Sequence, residues 1–137
     1  MVDDSRVRIP RGNERVLVVD DDRVQAESLS AILGRLGYSS TFATDGAKAL
    51  ELISDDPKAF DIVVTDQNMP HMTGTALAEE AMRIRRDLPV LLCTGCLDAS
   101  SEEKAARLGI RELVAKPFTL SEIATAIRRV LDGRVAS

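Results

Sequence analysis

Acidic, hydroxyl and ammonium side chains recur at one kind of position in this 137-residue sequence, just past a short apolar run. Asp20, Asp21 and Asp22 follow Val16–Val19. Thr65 and Asp66 follow Ile62–Val64 and lead into Gln67-Asn68-Met69-Pro70. Thr94 and Gly95 come after Val90–Leu92 and Cys93, and Lys116-Pro117 follows Leu113–Ala115. Carboxylates brought together repel and raise one another's pKa unless a cation joins them. A hard divalent ion does this, and Mg²⁺ keeps several waters, so a few protein oxygens suffice. One carboxylate oxygen then remains free to attack phosphorus. Phosphoryl transfer spreads charge over three equatorial oxygens. A metal ion, the Lys116 ammonium and the Thr94 hydroxyl would cover one each.

Singly, these residues are ordinary. An Asp run after a strand is commonly a solvated loop with one residue capping the next helix, and a Thr in a turn or a Lys before Pro is commonplace. What carries weight is the joint pattern, in which four run ends deliver acid, acid, hydroxyl and ammonium. His71 follows Met69-Pro70 without a titrating partner and reads as a surface histidine. Cys93 and Cys96 form a Cys-Thr-Gly-Cys run, but Cys93 closes a strand instead of opening a helix, so its thiol has no reason to ionise. Both read as reduced cysteines.

The elements that must position these groups alternate. Five apolar runs, the second a weak one at Ser40–Ala43, are separated by amphipathic stretches. Three runs are continuously apolar, as in parallel strands covered on both faces. Leu29, Ile32, Leu33 and Leu36 share a helical face; so do Leu77, Ala81 and Ile84, and Ile123, Ile127, Val130 and Leu131. Gly37 and Gly109 stand where left-handed helix caps belong. Ser100 with Glu103, and Thr119 with Glu122, read as capping boxes. Pro57 and Pro89 fall in connections. Such an α/β alternation implies a parallel sheet with right-handed crossovers and helices on both faces. Ligands in such sheets bind at the carboxyl ends of the strands, where the groups above fall. Residues 1–13 read as a flexible lead-in, 14–132 as the domain and 133–137 as a frayed tail.

Composition narrows the classes further. With 45% hydrophobic and 29% charged residues the chain reads as globular and soluble. A net charge of −4 argues against a nucleic-acid partner. No run approaches the roughly 18 apolar residues of a membrane span, and no signal-peptide core opens the chain. A cytoplasmic, monomeric protein is the expectation.

Val18-Val19-Asp20-Asp21-Asp22, Thr65-Asp66-Gln67-Asn68-Met69-Pro70, Met72-Thr73-Gly74, Cys93-Thr94-Gly95 and Lys116-Pro117-Phe118, in that order and from about Arg15 to Leu131, resemble the signature of response-regulator receiver domains. The resemblance implies a flavodoxin-like (βα)₅ fold with strand order 2-1-3-4-5. It implies that Asp66 is the phosphoacceptor. Mg²⁺ would be held by Asp21, Asp66 and the Asn68 backbone carbonyl, with Asp20 acting mainly through water. Thr94 would contact the phosphoryl group and move toward it, and Lys116 would pair with that group ahead of a cis Lys116–Pro117 bond. Partners would be a histidine kinase or a histidine phosphotransfer domain, and the domain would act only on itself. Members usually carry Tyr or Phe three residues before the lysine. Here Leu113 joins Thr94 in the switch, able to repack but with no ring to swing, and Thr73 stands where many members have Asp. Arg8–Arg15 and Gly109–Leu113 are similar to receivers at the end of hybrid sensor histidine kinases, and no output domain is expected in this chain.

Two other classes fit less well. Asp20-Asp21-Asp22-Arg23-Val24 matches the opening of haloacid-dehalogenase phosphatases, with Asp20 as nucleophile, but those enzymes need a further acidic pair after the lysine and a cap insertion. A flavin module needs a phosphate-cradling loop after the first strand and aromatics about the ring. This chain has three aspartates there and 3% aromatic residues.

Overall fold

The computed structural model describes residues 9–133. Five strands and five helices alternate: β1 (Arg15–Val19), α1 (Arg23–Arg35), β2 (Ser39–Ala43), α2 (Gly46–Asp55), β3 (Ile62–Asp66), α3 (Gly74–Ile84), β4 (Val90–Thr94), α4 (Ala99–Leu108), β5 (Glu112–Ala115) and α5 (Leu120–Gly133). All neighbouring strands are parallel, in the order β2-β1-β3-β4-β5. The flavodoxin-like order expected from the sequence is therefore the one found.

The pleat explains the continuous apolar runs. Val16, Val18, Ile62, Val64, Leu91 and Cys93 face α1 and α5, while Leu17, Val19, Val63, Val90 and Leu92 face α2, α3 and α4. With both faces covered, no position in β3 or β4 is left for a solvent-facing residue. The Ser40–Ala43 run is weak because β2 is an edge strand whose alternate residues stay exposed.

Helix ends follow local chemistry, with two departures from expectation. Asp22, Asp45 and Thr73 cap α1, α2 and α3. Gly109 (φ 87°) closes α4 and Gly37 (φ 104°) follows α1, both left-handed as anticipated. The Thr119–Glu122 box is reciprocal, at 2.8 and 3.1 Å. The Ser100–Glu103 box is not formed. Asp98 caps α4 instead and pairs with Ser101, because the helix begins at Ala99, two residues earlier than a Ser100 cap requires; Glu103 pairs with Arg107. Ile84, placed with Leu77 and Ala81 on a buried face, is 36% exposed at the last residue of α3.

Residues 1–8 and 134–137 of the expected lead-in and tail lie outside the described residues. Over residues 9–14, Ile9 packs on the α1–α5 core, the Gly12 amide donates to the Leu36 carbonyl (3.1 Å), and Arg128 of α5 donates to both Glu14 oxygens (2.7 and 3.0 Å).

Gly34 lies in the last turn of α1, with nothing within 4 Å of the place a Cβ would occupy and no left-handed backbone to protect. Gly34→Ala is expected to stabilise the domain by about 0.5–1 kcal/mol, read as a higher denaturant midpoint at unchanged slope.

Candidate functional site

The carboxyl ends of β1, β3, β4 and β5 meet at one rim. Strand pairing extends further than the apolar runs suggested, so Thr65, Asp66 and Thr94 are themselves strand residues. Asp66 is buried at the end of β3, where the pleat directs its carboxylate onto the rim. Asp20 follows β1 and is tied to the sheet by its amide, which donates to the Ala43 carbonyl (3.2 Å). Its Oδ1 accepts from the Asp22 amide (2.9 Å). Asp22, the third of the run, turns away to cap α1 by accepting from the Gln25 amide (3.2 Å). That leaves Asp20 half-buried, Asp21 exposed and Asp66 buried, each with a carboxylate oxygen within 4.8 Å of the others.

Lys116 closes the cluster from β5. Its Nζ lies 3.1 Å from Asp66 Oδ1 and 3.7 Å from Asp20 Oδ2, and donates to Gln25 Oε1 at 3.2 Å. The Lys116 amide donates to the Thr94 carbonyl (2.8 Å), and the Lys116–Pro117 bond is cis. Burial pushes the Asp20 carboxyl upward, against the Asp22 amide and the Lys116 charge that pull it down. Burial works against the charged Lys116, but the hydrogen bond and charge of Asp66, with the charge of Asp20, hold its pKa above the usual value. Three acids thus face one ammonium, and the unbalanced negative charge is ringed by oxygen donors alone. That set suits a hard divalent cation such as Mg²⁺.

The remaining expected residues lie beside this cluster. Thr94 is buried at the end of β4, but its hydroxyl accepts from the Cys96 amide (3.1 Å) and donates to the Cys96 carbonyl (3.3 Å). Contact with a group on Asp66 would require that turn to release it. Asn68 is exposed in the β3–α3 loop, two residues past Asp66. Leu113 is half-buried in β5 and lines a cavity together with Thr94, Gln67 and Leu92. His71 is exposed. Cys93 is buried, which drives its thiol up to about 12, and a hydrogen bond from Cys96 to Asp98 raises the second thiol too. Neither cysteine is a thiolate at neutral pH.

Three residues were assigned no role from the sequence. Gln25 gives Lys116 a neutral acceptor, and its place at the third helical position after the Asp22 cap was the available signal. Gln67 staples the β3–α3 loop: its amide donates to the Cys93 carbonyl (2.8 Å), and its Oε1 accepts from the Thr75 amide (2.9 Å). Gly74 opens α3 against Asp66, where an ideal Cβ would stand 2.5 Å from the Asp66 carbonyl oxygen.

The model of the family described as the response regulator receiver domain matches residues 16–128. The chain belongs to that family. Among curated relatives, response regulator MprA of Mycolicibacterium vanbaalenii is 38% identical over 117 residues, covering 85% of this chain and 50% of that protein. MprA of Mycobacterium leprae is 36% identical over the same share of each. The chain therefore spans about half the length of these response regulators. Among solved structures, the non-phosphorylated HemR receiver domain of Leptospira biflexa is 34% identical with a TM-score of 0.79, covering 87% of this chain and 94% of that one. Chemotaxis protein CheY4 of Vibrio cholerae is 27% identical with a TM-score of 0.80, covering 88% and 100%. Receiver domains of this family work in two-component signalling with histidine kinases or phosphotransfer proteins, so the phosphatase and flavin readings do not stand. Among the described residues no helix is long and apolar enough to cross a membrane.

Proposed function

We propose that this receiver domain accepts a phosphoryl group on Asp66 from a phosphohistidine of a histidine kinase or phosphotransfer domain, in a Mg²⁺-dependent reaction, and thereby changes what it binds. The observation that carries this reading is the Lys116 ammonium 3.1 Å from Asp66 within a cluster of three carboxylates. An Asp66 oxygen forms the new O–P bond, the P–N bond to the donor imidazole breaks, and its electron pair stays on the donor nitrogen. No base is needed, because an ionised carboxylate is already the nucleophile. Asp20, Asp21, Asp66 and the Asn68 carbonyl would hold Mg²⁺, which supplies charge neutralisation at the phosphoryl oxygens. Lys116 neutralises one oxygen and orients the group. Thr94, once its hydroxyl leaves Cys96, donates to another, and Leu113 repacks beside it. The domain acts on itself alone, as a monomer in the cytoplasm. A hybrid-kinase setting rests on the Arg8–Arg15 and Gly109–Leu113 segments.

Incubation with acetyl phosphate and Mg²⁺ tests this. The expected result is one added phosphoryl group, labile to hydroxylamine, mapped by mass to Asp66 and absent both in Asp66→Asn and after chelation of the metal. A label on Asp20, or continuous turnover of a phosphomonoester, overturns the assignment.

A further inference from the structure

Lys116 lines a cavity of about 220 Å³ between α1 and the sheet, with Leu29, Ile32 and Phe118 among its other walls. Close packing therefore does not fix the lysine stem, and the place of its head falls to polar partners. A lysine ammonium has three donors and no acceptor. One donor goes to Asp66 Oδ1 (3.1 Å) and one to Gln25 Oε1 (3.2 Å). Asp20 Oδ2, at 3.7 Å, attracts the charge without taking a hydrogen bond. Gln25 is itself held, because its backbone amide donates to Asp22 Oδ1 (3.2 Å) and its Nε2 to Asp22 Oδ2 (3.4 Å). The two neighbouring charges decide which way the side-chain amide points. Turned over, it would set its NH₂ group against the ammonium and its carbonyl against the carboxylate. Asp22, Gln25, Lys116 and Asp66 thus form one hydrogen-bonded chain from the cap of α1 to the end of β3, with a charged group in every bond.

We propose that Gln25 is a positioning residue for phosphoryl transfer. It holds the Lys116 ammonium from the α1 side, so that the charge stands beside Asp66 where the phosphoryl oxygens arrive, and Asp22 orients Gln25 in turn. This role rests on the phosphoacceptor reading of the site. A neutral acceptor suits the task. A carboxylate at position 25 would put a fourth negative charge beside Asp20, Asp21 and Asp66 and would draw the ammonium away from Asp66. The amide oxygen restrains the head without adding charge. Without it the flexible stem is free to swing toward Asp20, and the preorganisation on which the ammonium's effect depends is lost in part.

Gln25→Met tests this, since it keeps the length and helix propensity of an exposed side chain and removes its oxygen. Labelling of Asp66 by acetyl phosphate and Mg²⁺ is expected to slow about three- to tenfold, the range of one hydrogen bond to a charged group that water can reach. Asp22→Ser keeps a capping oxygen on α1 and removes the charge that orients Gln25, so its loss should be smaller and in the same direction. In a Lys116→Met background neither substitution should slow labelling by more than about 1.5-fold, because the group they place is gone. With neither metal nor phosphodonor present, the Lys116 Nζ resonance, read through its methylene protons, should move in Gln25→Met. An undiminished labelling rate in Gln25→Met, an equal loss in the Lys116→Met background, or a Lys116 resonance that stays in place overturns the proposal. A parent protein that acetyl phosphate does not label removes the phosphoacceptor reading and this role with it. A labelled parent whose Gln25→Met variant labels equally fast removes the positioning role alone.

Discussion

Alanine at position 116 is expected to slow labelling of Asp66 by acetyl phosphate about a hundredfold or more, and at the same time to tighten Mg²⁺ binding. The two effects have one cause. The ammonium sits 3.1 Å from Asp66 and 3.7 Å from Asp20, where it offsets part of the repulsion among three carboxylates. Its removal leaves that repulsion uncompensated, so a divalent ion gains more by binding. The transferring phosphoryl group also loses a preorganised positive partner, the ammonium 3.1 Å from Asp66. Lys116→Met separates charge from bulk, because methionine keeps an aliphatic stem along the cavity wall while removing the charge. Equal losses in the methionine and alanine variants assign the effect to the ammonium. Isothermal titration with Mg²⁺ and quenched-flow labelling provide the two readouts. Labelling within about threefold of the parent protein would deny Lys116 its role.

The groups that make up this rim were legible in the sequence because each stands at the end of an uninterrupted apolar run. β3 and β4 are buried on both faces, so their runs had to be continuous, and the first polar residues after them had to lie on the rim. That logic located Asp66 and Thr94, and Asp20 and Lys116 by the same rule. It weakened at β2, where an exposed edge admits Ser39 and Thr41 and the pattern thins out. It could not reach Gln25, whose role rests on a partner far away in the chain, or Gln67, whose side chain bonds Thr75 across the β3–α3 loop. Gln25 bonds a lysine 91 residues on, and neither propensity nor periodicity records such a pairing. The α4 cap shows a different limit. The sequence pointed to Ser100 as the cap, but Asp98 takes that place in the β4–α4 turn, where Ser101 donates to the Cys96 carbonyl as well as serving Asp98. The same turn holds the Thr94 hydroxyl. A residue's type therefore placed Thr94 at the rim without revealing which way its hydroxyl was engaged.

Gly74→Ala is expected to destabilise the domain by about 2–3 kcal/mol and to impair labelling of Asp66 even under conditions where the variant is fully folded. Its backbone is not in the left-handed region, so alanine faces no conformational penalty there, and in a helix it would ordinarily be favoured by up to about 1 kcal/mol. Space decides the sign. A Cβ at 74 would lie 2.5 Å from the Asp66 carbonyl oxygen and would also meet Leu92 Cδ1. The leucine terminus can rotate, but the carbonyl belongs to β3 and cannot retreat without moving the residue that carries the nucleophile. The Gly74 amide further donates to the Gln67 carbonyl (3.0 Å), so the loop cannot slide outward without breaking that bond. Relief therefore has to come from a shift at Asp66 itself, which would change its distance from Lys116. Gly34→Ala is the matched control: the same substitution in an open helix position should raise the denaturant midpoint and leave labelling untouched. If both variants gain stability, close packing of α3 against the end of β3 is not what holds Asp66 in place.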